Sequence, residues 1–149
     1  MAEVLHSEWQ TQAQRALADA GYRNGAARRA VIDALASQQC CASASEIAAL
    51  LAADGNDVGI ASVYRALEVL DQLHLLQRLD VGDGTTRYEA ALPSGDHHHH
   101  LVCDKCGTQR CLPEPTNRWG DERYAFMRDA YAAGWRRWAS RGTRDYCPR

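Results

Sequence analysis

The 149-residue sequence has no apolar run approaching the ~20 residues that a membrane-spanning helix needs. Its first residues, MAEVLHSEWQTQAQ, carry neither the basic start nor the apolar stretch of a signal peptide. Both absences lead to the expectation of a cytoplasmic protein with no membrane partner. Its six cysteines should then stay reduced unless a metal or redox chemistry uses them. Charge of one sign is lacking too: 17 Lys and Arg against 19 Asp and Glu leave a net −2, so no strong field declares a partner. What remains, 46% hydrophobic and 24% charged residues, is the balance of a globular chain and excludes a disordered tail. The length leaves room for one ordinary domain or two small ones.

The most telling scarcity is local. Residues 1–106 hold 23 Leu, Ile and Val, whereas the last 43 residues hold one, Leu112. Seven of the eleven aromatics fall in that final stretch, and the charge splits into −6 before residue 107 and +4 after it. A folded core draws on branched aliphatics throughout its length, so the break marks a boundary.

Before the break the chain is patterned for helices. Trp9 to Ala20 reads as a short helix with Ala13, Ala16 and Leu17 on one face, closed by Gly21. Ala26 to Ser37 reads as a second, with Val31, Ala34 and Leu35 spaced by three and four. Ser43-x-x-Glu46 is a capping-box pattern in front of Ile47, Leu50 and Leu51, in a third helix that stops near Asp54-Gly55. A short Gly-containing connection leads to a longer helix from Ile60, with Val63, Leu67, Leu70 and Leu73 facing inward. Two strand-like runs follow, Leu75 to Asp80 and Thr85 to Ala90, joined by the turn Val81-Gly82-Asp83-Gly84.

A helix-turn-helix with a hairpin behind it makes a winged helix. The outward face of the longer helix offers Ser62, Tyr64, Arg65 and Glu68, a mixture suited to phosphates and base edges and equally to a plain solvated face. The net −6 does not decide between them, because phosphate neutralisation is local. Arg23, Arg28, Arg29, Arg65, Arg78 and Arg87 could cluster on one side.

Residues 97–106 read HHHHLVCDKC. If a strand continues through Leu101 and Val102, alternation puts His98 and His100 on one face, ~7 Å apart along the strand and within reach of one ion. Neutral imidazole suits Zn, Fe, Ni or Cu. Cys103 and Cys106 have zinc-knuckle spacing, each thiolate able to lie ~2.3 Å from a tetrahedral zinc. A thioredoxin-type redox pair shares the spacing, but that pair opens a helix after a buried strand, whereas this one follows a histidine-rich strand. Together the histidine run and the CxxC point to metal.

These residues resemble the ferric uptake regulator (Fur) family of metal-responsive repressors over about residues 20–108. The resemblance rests on Ile60-Ala61-Ser62-Val63-Tyr64-Arg65-Ala66-Leu67, on Thr86-Arg87-Tyr88-Glu89 and on HHHHLVCDKCG. It implies an α+β protein: a winged-helix DNA-binding domain over 1–92, a hinge at 93–96, and a small α/β metal-binding and dimerisation domain over 97–149. It further implies that Tyr64 and Arg65 meet DNA, with Ser62 of the outward face expected to join them, and that Arg23 reaches toward the minor groove. His98, His100 and Glu89 match ligands of a regulatory divalent metal, zinc or iron, and Cys103 and Cys106 match half of a structural zinc site. The implied partners are a double-stranded DNA operator and a second copy of the chain.

Three departures from the family pattern matter. Cys41 stands where many members have a histidine ligand: it either completes an S/N/N/O metal site or is a small buried apolar residue. Gly25 replaces a threonine, weakening a helix cap or a phosphate contact. After Gly107 the aliphatic strand, amphipathic helix and second CxxC of the family give way to a sequence that reads as frame-shifted or replaced. Glu122 to Ser140 still has helical spacing, and Cys111 and Cys147 are the thiols left to complete the zinc site. The expected consequences are weak dimerisation and, at the extreme, a remnant regulator.

The leading expectation is a metal-dependent repressor, with a peroxide or redox sensor on the same scaffold as the alternative. A hydrolytic metalloenzyme would need a substrate cleft and a general base beyond the ligands. The sequence supplies neither, so no enzymatic activity is expected.

Overall fold

A computed structural model of the chain describes residues 2–38, 40–80, 84–91, 99–102 and 109–112. The expected hinge, the Val81-to-Asp83 part of the wing turn, His98, Cys103, Cys106, Cys147 and the helix expected over Glu122–Ser140 lie outside the described residues. The chain divides into two compact units, Met1–Asp96 and His97–Arg149.

In the first unit, α1 (Ala2–Asp19), α2 (Ala26–Ser37), α3 (Ala44–Ala53) and α4 (Ile60–Gln72) precede the hairpin strands β2 (Leu76–Asp80) and β3 (Thr86–Ala90). A two-residue strand, β1 (Ala42–Ser43), joins β3 antiparallel, so the sheet runs β1-β3-β2. The architecture is α+β, a helical bundle on a small antiparallel sheet. Two features differ from the sequence reading. The first helix begins at Ala2 rather than Trp9, and β1 was hidden because two small residues carry no alternation to read.

Helical periodicity builds the core. Trp9, Ala13 and Leu17 recur every four residues on α1 and are fully buried. They join Val31, Ile32 and Leu35 of α2, Ile47 and Leu51 of α3, and Val63, Leu67 and Leu70 of α4. Leu75, Leu76 and Tyr88 close the cluster from the sheet side. Burying the polar edge of Trp9 is compensated, because its indole Nε1 donates to the Leu75 carbonyl at 2.8 Å. The same carbonyl accepts the Ala91 amide at 2.9 Å, tying the exit of β3 to the first helix.

Three of the four helix ends follow one design, the exception being α2, which runs out on an extended Gln38. After α1, Tyr22 N–H reaches the Leu17 carbonyl (2.8 Å) across Gly21 at φ +76; after α3, Asn56 reaches Leu51 (2.8 Å) across Gly55 at φ +78. After α4, Leu75 reaches Leu70 (3.0 Å), but the left-handed position is filled by His74 at φ 57. Leu70 and Leu75 are both buried members of the core cluster there, the apolar pairing of positions that usually accompanies this motif.

Helix starts do not follow one design. At α3 the Ser43 Oγ accepts the Glu46 amide (3.2 Å) and the Glu46 carboxylate accepts the Ser43 amide (2.7 Å), the expected capping box in full. At α2 and α4 the N-caps are Gly25 and Gly59, with no side-chain cap and no acid in the first turn.

In the second unit, β4 (His99–Val102) pairs antiparallel with β5 (Gln109–Leu112), in the register His99↔Leu112, His100↔Cys111, Leu101↔Arg110 and Val102↔Gln109. A strand through Leu101 and Val102 was expected, and it has a partner drawn from beyond Gly107.

Candidate nucleic-acid interface and metal centre

The two helices of the helix-turn-helix pair are α3 and α4. The buried stripe of α4, Val63, Ala66, Leu67 and Leu70, fixes which side turns outward. Tyr64 is accordingly 53% exposed and Arg65 is exposed, while Ser62 is half-buried beside them. The Arg65 guanidinium donates to Ser62 Oγ at 3.0 Å, one turn back, which draws the cation along the helix surface.

The loop between α1 and α2 is braced by arginines from the first turn of α2. Arg28 donates to the Arg23 carbonyl and lies over the Tyr22 ring, 5.5 Å from its centroid. Arg29 donates to the Asn24 carbonyl at 2.6 Å, and Tyr22 Oη donates to Gln72 Oε1 at 3.5 Å, linking the loop to the last turn of α4. Arg23 itself is exposed on this loop. Arg28 and Arg29 thus act on the backbone of that loop, a role that no residue spacing signals.

The expected six-arginine cluster does not form. Arg87 is buried, with 4% of its surface exposed, because its alternation along β3 points it to a covered face. Arg78 is held by Asp71 at 3.3 Å, a half-exposed pair that contributes little stability but links β2 to α4.

Around β1 the sheet gathers a different chemistry. Ala42 is paired with Tyr88 and Ser43 with Arg87, so one further step of the register sets Cys41 across from Glu89. Cys41 is 1% exposed. Burial pushes its thiol up to about 12, the Glu89 carboxylate adds to the rise, and the Arg87 guanidinium opposes it. Cys41 is thus packed like a small apolar residue, and it lies beside a carboxylate. Glu89 is half-buried.

A buried thiol with a carboxylate neighbour is a donor pair that suits a divalent transition metal, since the metal's charge compensates the anions that burial disfavours. Two donors are half of such a site, and among the described residues no group of three or more His, Cys, Asp and Glu comes together at metal-holding distances. Cys41 and Glu89 belong to the first unit, His98 and His100 to the second. His100 is placed on β4 opposite Cys111 by the backbone register.

Among the described residues no helix is long and apolar enough to cross a membrane. The sequence pattern of the Ferric uptake regulator family matches residues 19–116, past Gly107 and through β5. A "Ferric uptake regulation protein" from Bacillus subtilis is 39% identical over 66 residues, 44% of each chain, so the match spans less than half the length of that relative. A "Peroxide-responsive repressor PerR" from Staphylococcus aureus is 29% identical over 91 residues, 61% of this chain and 60% of that one. Among solved structures, the Vibrio cholerae ferric uptake regulator is similar with a TM-score of 0.59 and 28% identity, covering 79% of this chain and 87% of that one.

Proposed function

The chain belongs to the ferric uptake regulator family, and on that premise we propose that it is a metal-responsive, DNA-binding transcriptional repressor of the cytoplasm, not an enzyme. Its first unit binds a double-stranded operator, with Tyr64, Arg65 and Ser62 of α4 in the major groove and Arg23 reaching the minor groove. The regulatory metal, zinc or iron, is held by Cys41 and Glu89 together with His98 and His100. Cys103 and Cys106 hold a structural zinc.

The observation that carries this reading is the Cys41–Glu89 juxtaposition on the sheet that also forms the wing. When bound, the metal supplies positive charge that both donor pairs share, and so it favours arrangements in which the donor pairs meet. Cys41 gives up its proton to bind, and Glu89 supplies a carboxylate oxygen. The protein's response to metal is then its differential affinity for the operator-competent arrangement. In a homodimer that arrangement fixes the separation of the two α4 helices, near one DNA turn or a multiple of it. The departure from the family pattern expected after Gly107, where the family match itself runs on only to residue 116, leads us to expect a dimer weaker than that of an ordinary family member, measurable by sedimentation.

Fluorescence anisotropy with a duplex selected from a randomised pool tests the reading, in EDTA, Zn²⁺, Fe²⁺ and Mn²⁺. Activation by one metal is expected; binding indifferent to EDTA contradicts it. The second reading, a peroxide sensor, draws on the similarity to PerR. Thiol ligation at Cys41 weighs against it, and a +16 mass shift on a histidine peptide after peroxide treatment of the iron-loaded protein would favour it.

A further inference from the structure

Four large hydrophobic side chains are exposed among the described residues, Tyr22, Leu50, Ile60 and Tyr64, and two of them lie on α4. Ile60 is 44% exposed and Tyr64 53%, one turn apart at i and i+4. That spacing sets them side by side on one face. A half-exposed, β-branched residue at the first position of a helix gains nothing from propensity and only part of what full burial would give. The inward work at this end of α4 is done by Val63, fully buried, and by Val58, which packs against the core from the preceding loop.

The surroundings of Ile60 suit nucleic acid. Gly59 presents no side chain, and a Cβ built there would meet nothing within 4 Å, so the approach to Ile60 is open. No acidic residue stands in the first turn of α4, and the Arg65 guanidinium, drawn back to the Ser62 hydroxyl, is exposed on the same helix. In the major groove one feature is apolar, the C5-methyl of thymine, and helices of this kind read base edges with their first residues.

We propose that Ile60 is a specificity-determining residue that packs on a thymine methyl group in the major groove, beside the base contacted by Tyr64. The proposal rests on the operator-binding reading above and adds to it a base preference. Sequence selectivity then has an apolar component at one position, next to the hydrogen-bonding readout of Arg65.

The test uses the full chain with Zn²⁺ and the duplex that the wild-type protein selects from a randomised pool. Each thymine is replaced in turn by deoxyuridine, which pairs identically and lacks the methyl. At one position the wild type should lose about three- to tenfold in affinity. Ile60→Ala should lose a similar factor on the thymine duplex and be indifferent to deoxyuridine at that position, with an unchanged melting temperature because the side chain is exposed. Ile60→Val should fall between the two. The proposal is overturned if Ile60→Ala binds like the wild type, if deoxyuridine costs Ile60→Ala as much as it costs the wild type, or if the substitution alters self-association and leaves DNA affinity intact. If the wild type selects no duplex at all, the operator-binding reading has failed and this proposal falls with it.

Discussion

The third and fourth helices sit on either side of one turn and begin in opposite ways. At α3 the first turn is closed by Ser43 and Glu46, each satisfying the other's amide. At α4 it opens on Gly59, with no side-chain cap, no acid, and Ile60 and Tyr64 facing out. Free amides at a helix start carry partial positive charge, which the carboxylate of Glu46 neutralises in α3 and which neither a capping side chain nor a first-turn acid neutralises in α4. The difference separates a helix that holds the fold together from one that presents a surface.

Exchanging core and surface losses breaks the comparison most strongly. Ile47→Ala, in the buried face of α3, should cost about 2–5 kcal/mol of stability in a denaturant titration. Arg65→Ala, on the open face of α4, should leave stability within about 0.5 kcal/mol. Its operator affinity should nevertheless drop about 10- to 100-fold. If Arg65→Ala unfolds the protein, or leaves operator binding intact, the division of labour is wrong.

The closed side also carries a titrating group. The Cys41 thiol, near 9.0 in an unfolded chain, is pushed up to about 12 by burial and by Glu89. A raised pKa means that the folded state holds the proton longer, so stability is intact below pH 9 and declines progressively as pH rises toward 12. Melting of the metal-free protein across that interval should show the decline, and Cys41→Ala should flatten it. A wild type whose melting temperature is level from pH 9 to 11 would mean that the thiol is not confined as the fold places it.

Smaller changes sharpen the contrast at the caps themselves. Ser43→Ala should lower stability by about 1 kcal/mol, through loss of the box, with operator affinity at saturating metal unchanged. Gly59→Asp supplies at α4 what Ser43 supplies at α3, and the added Cβ has open space. It should raise stability by a few tenths of a kcal/mol, roughly the Gly-to-Asp difference at an N-cap, yet weaken operator binding by placing a carboxylate beside a phosphate. Improved binding in Gly59→Asp would contradict the assignment of α4 as the DNA-facing helix.

The same contrast explains what could be read from sequence. α2, α3 and α4 and the hairpin were legible because Val31, Ile47, Val63 and their partners repeat at helical spacing, and because Ser43-x-x-Glu46 is a capping pattern with a mechanism. The burial of Arg87 was not legible: alternation along β3 says that it shares a face with Glu89, but not whether that face is covered. Cys41 is the instructive case. Composition permits a packed apolar residue or a ligand, and only the register of β1 on β3 shows that the packed position is also the one across from a carboxylate. In the sequence Ile60 marks simply the start of a helix, because periodicity assigns an apolar residue to a face without saying that the face is open.

Zinc titration of operator affinity for the wild type, Cys41→Ser and Glu89→Gln tests the central claim most directly. The account predicts that zinc tightens wild-type binding, that either substitution weakens the zinc response at least tenfold while melting of the metal-free proteins stays close to wild type, and that the metal-free affinities of all three are alike. Zinc responses identical to wild type in both variants would contradict it.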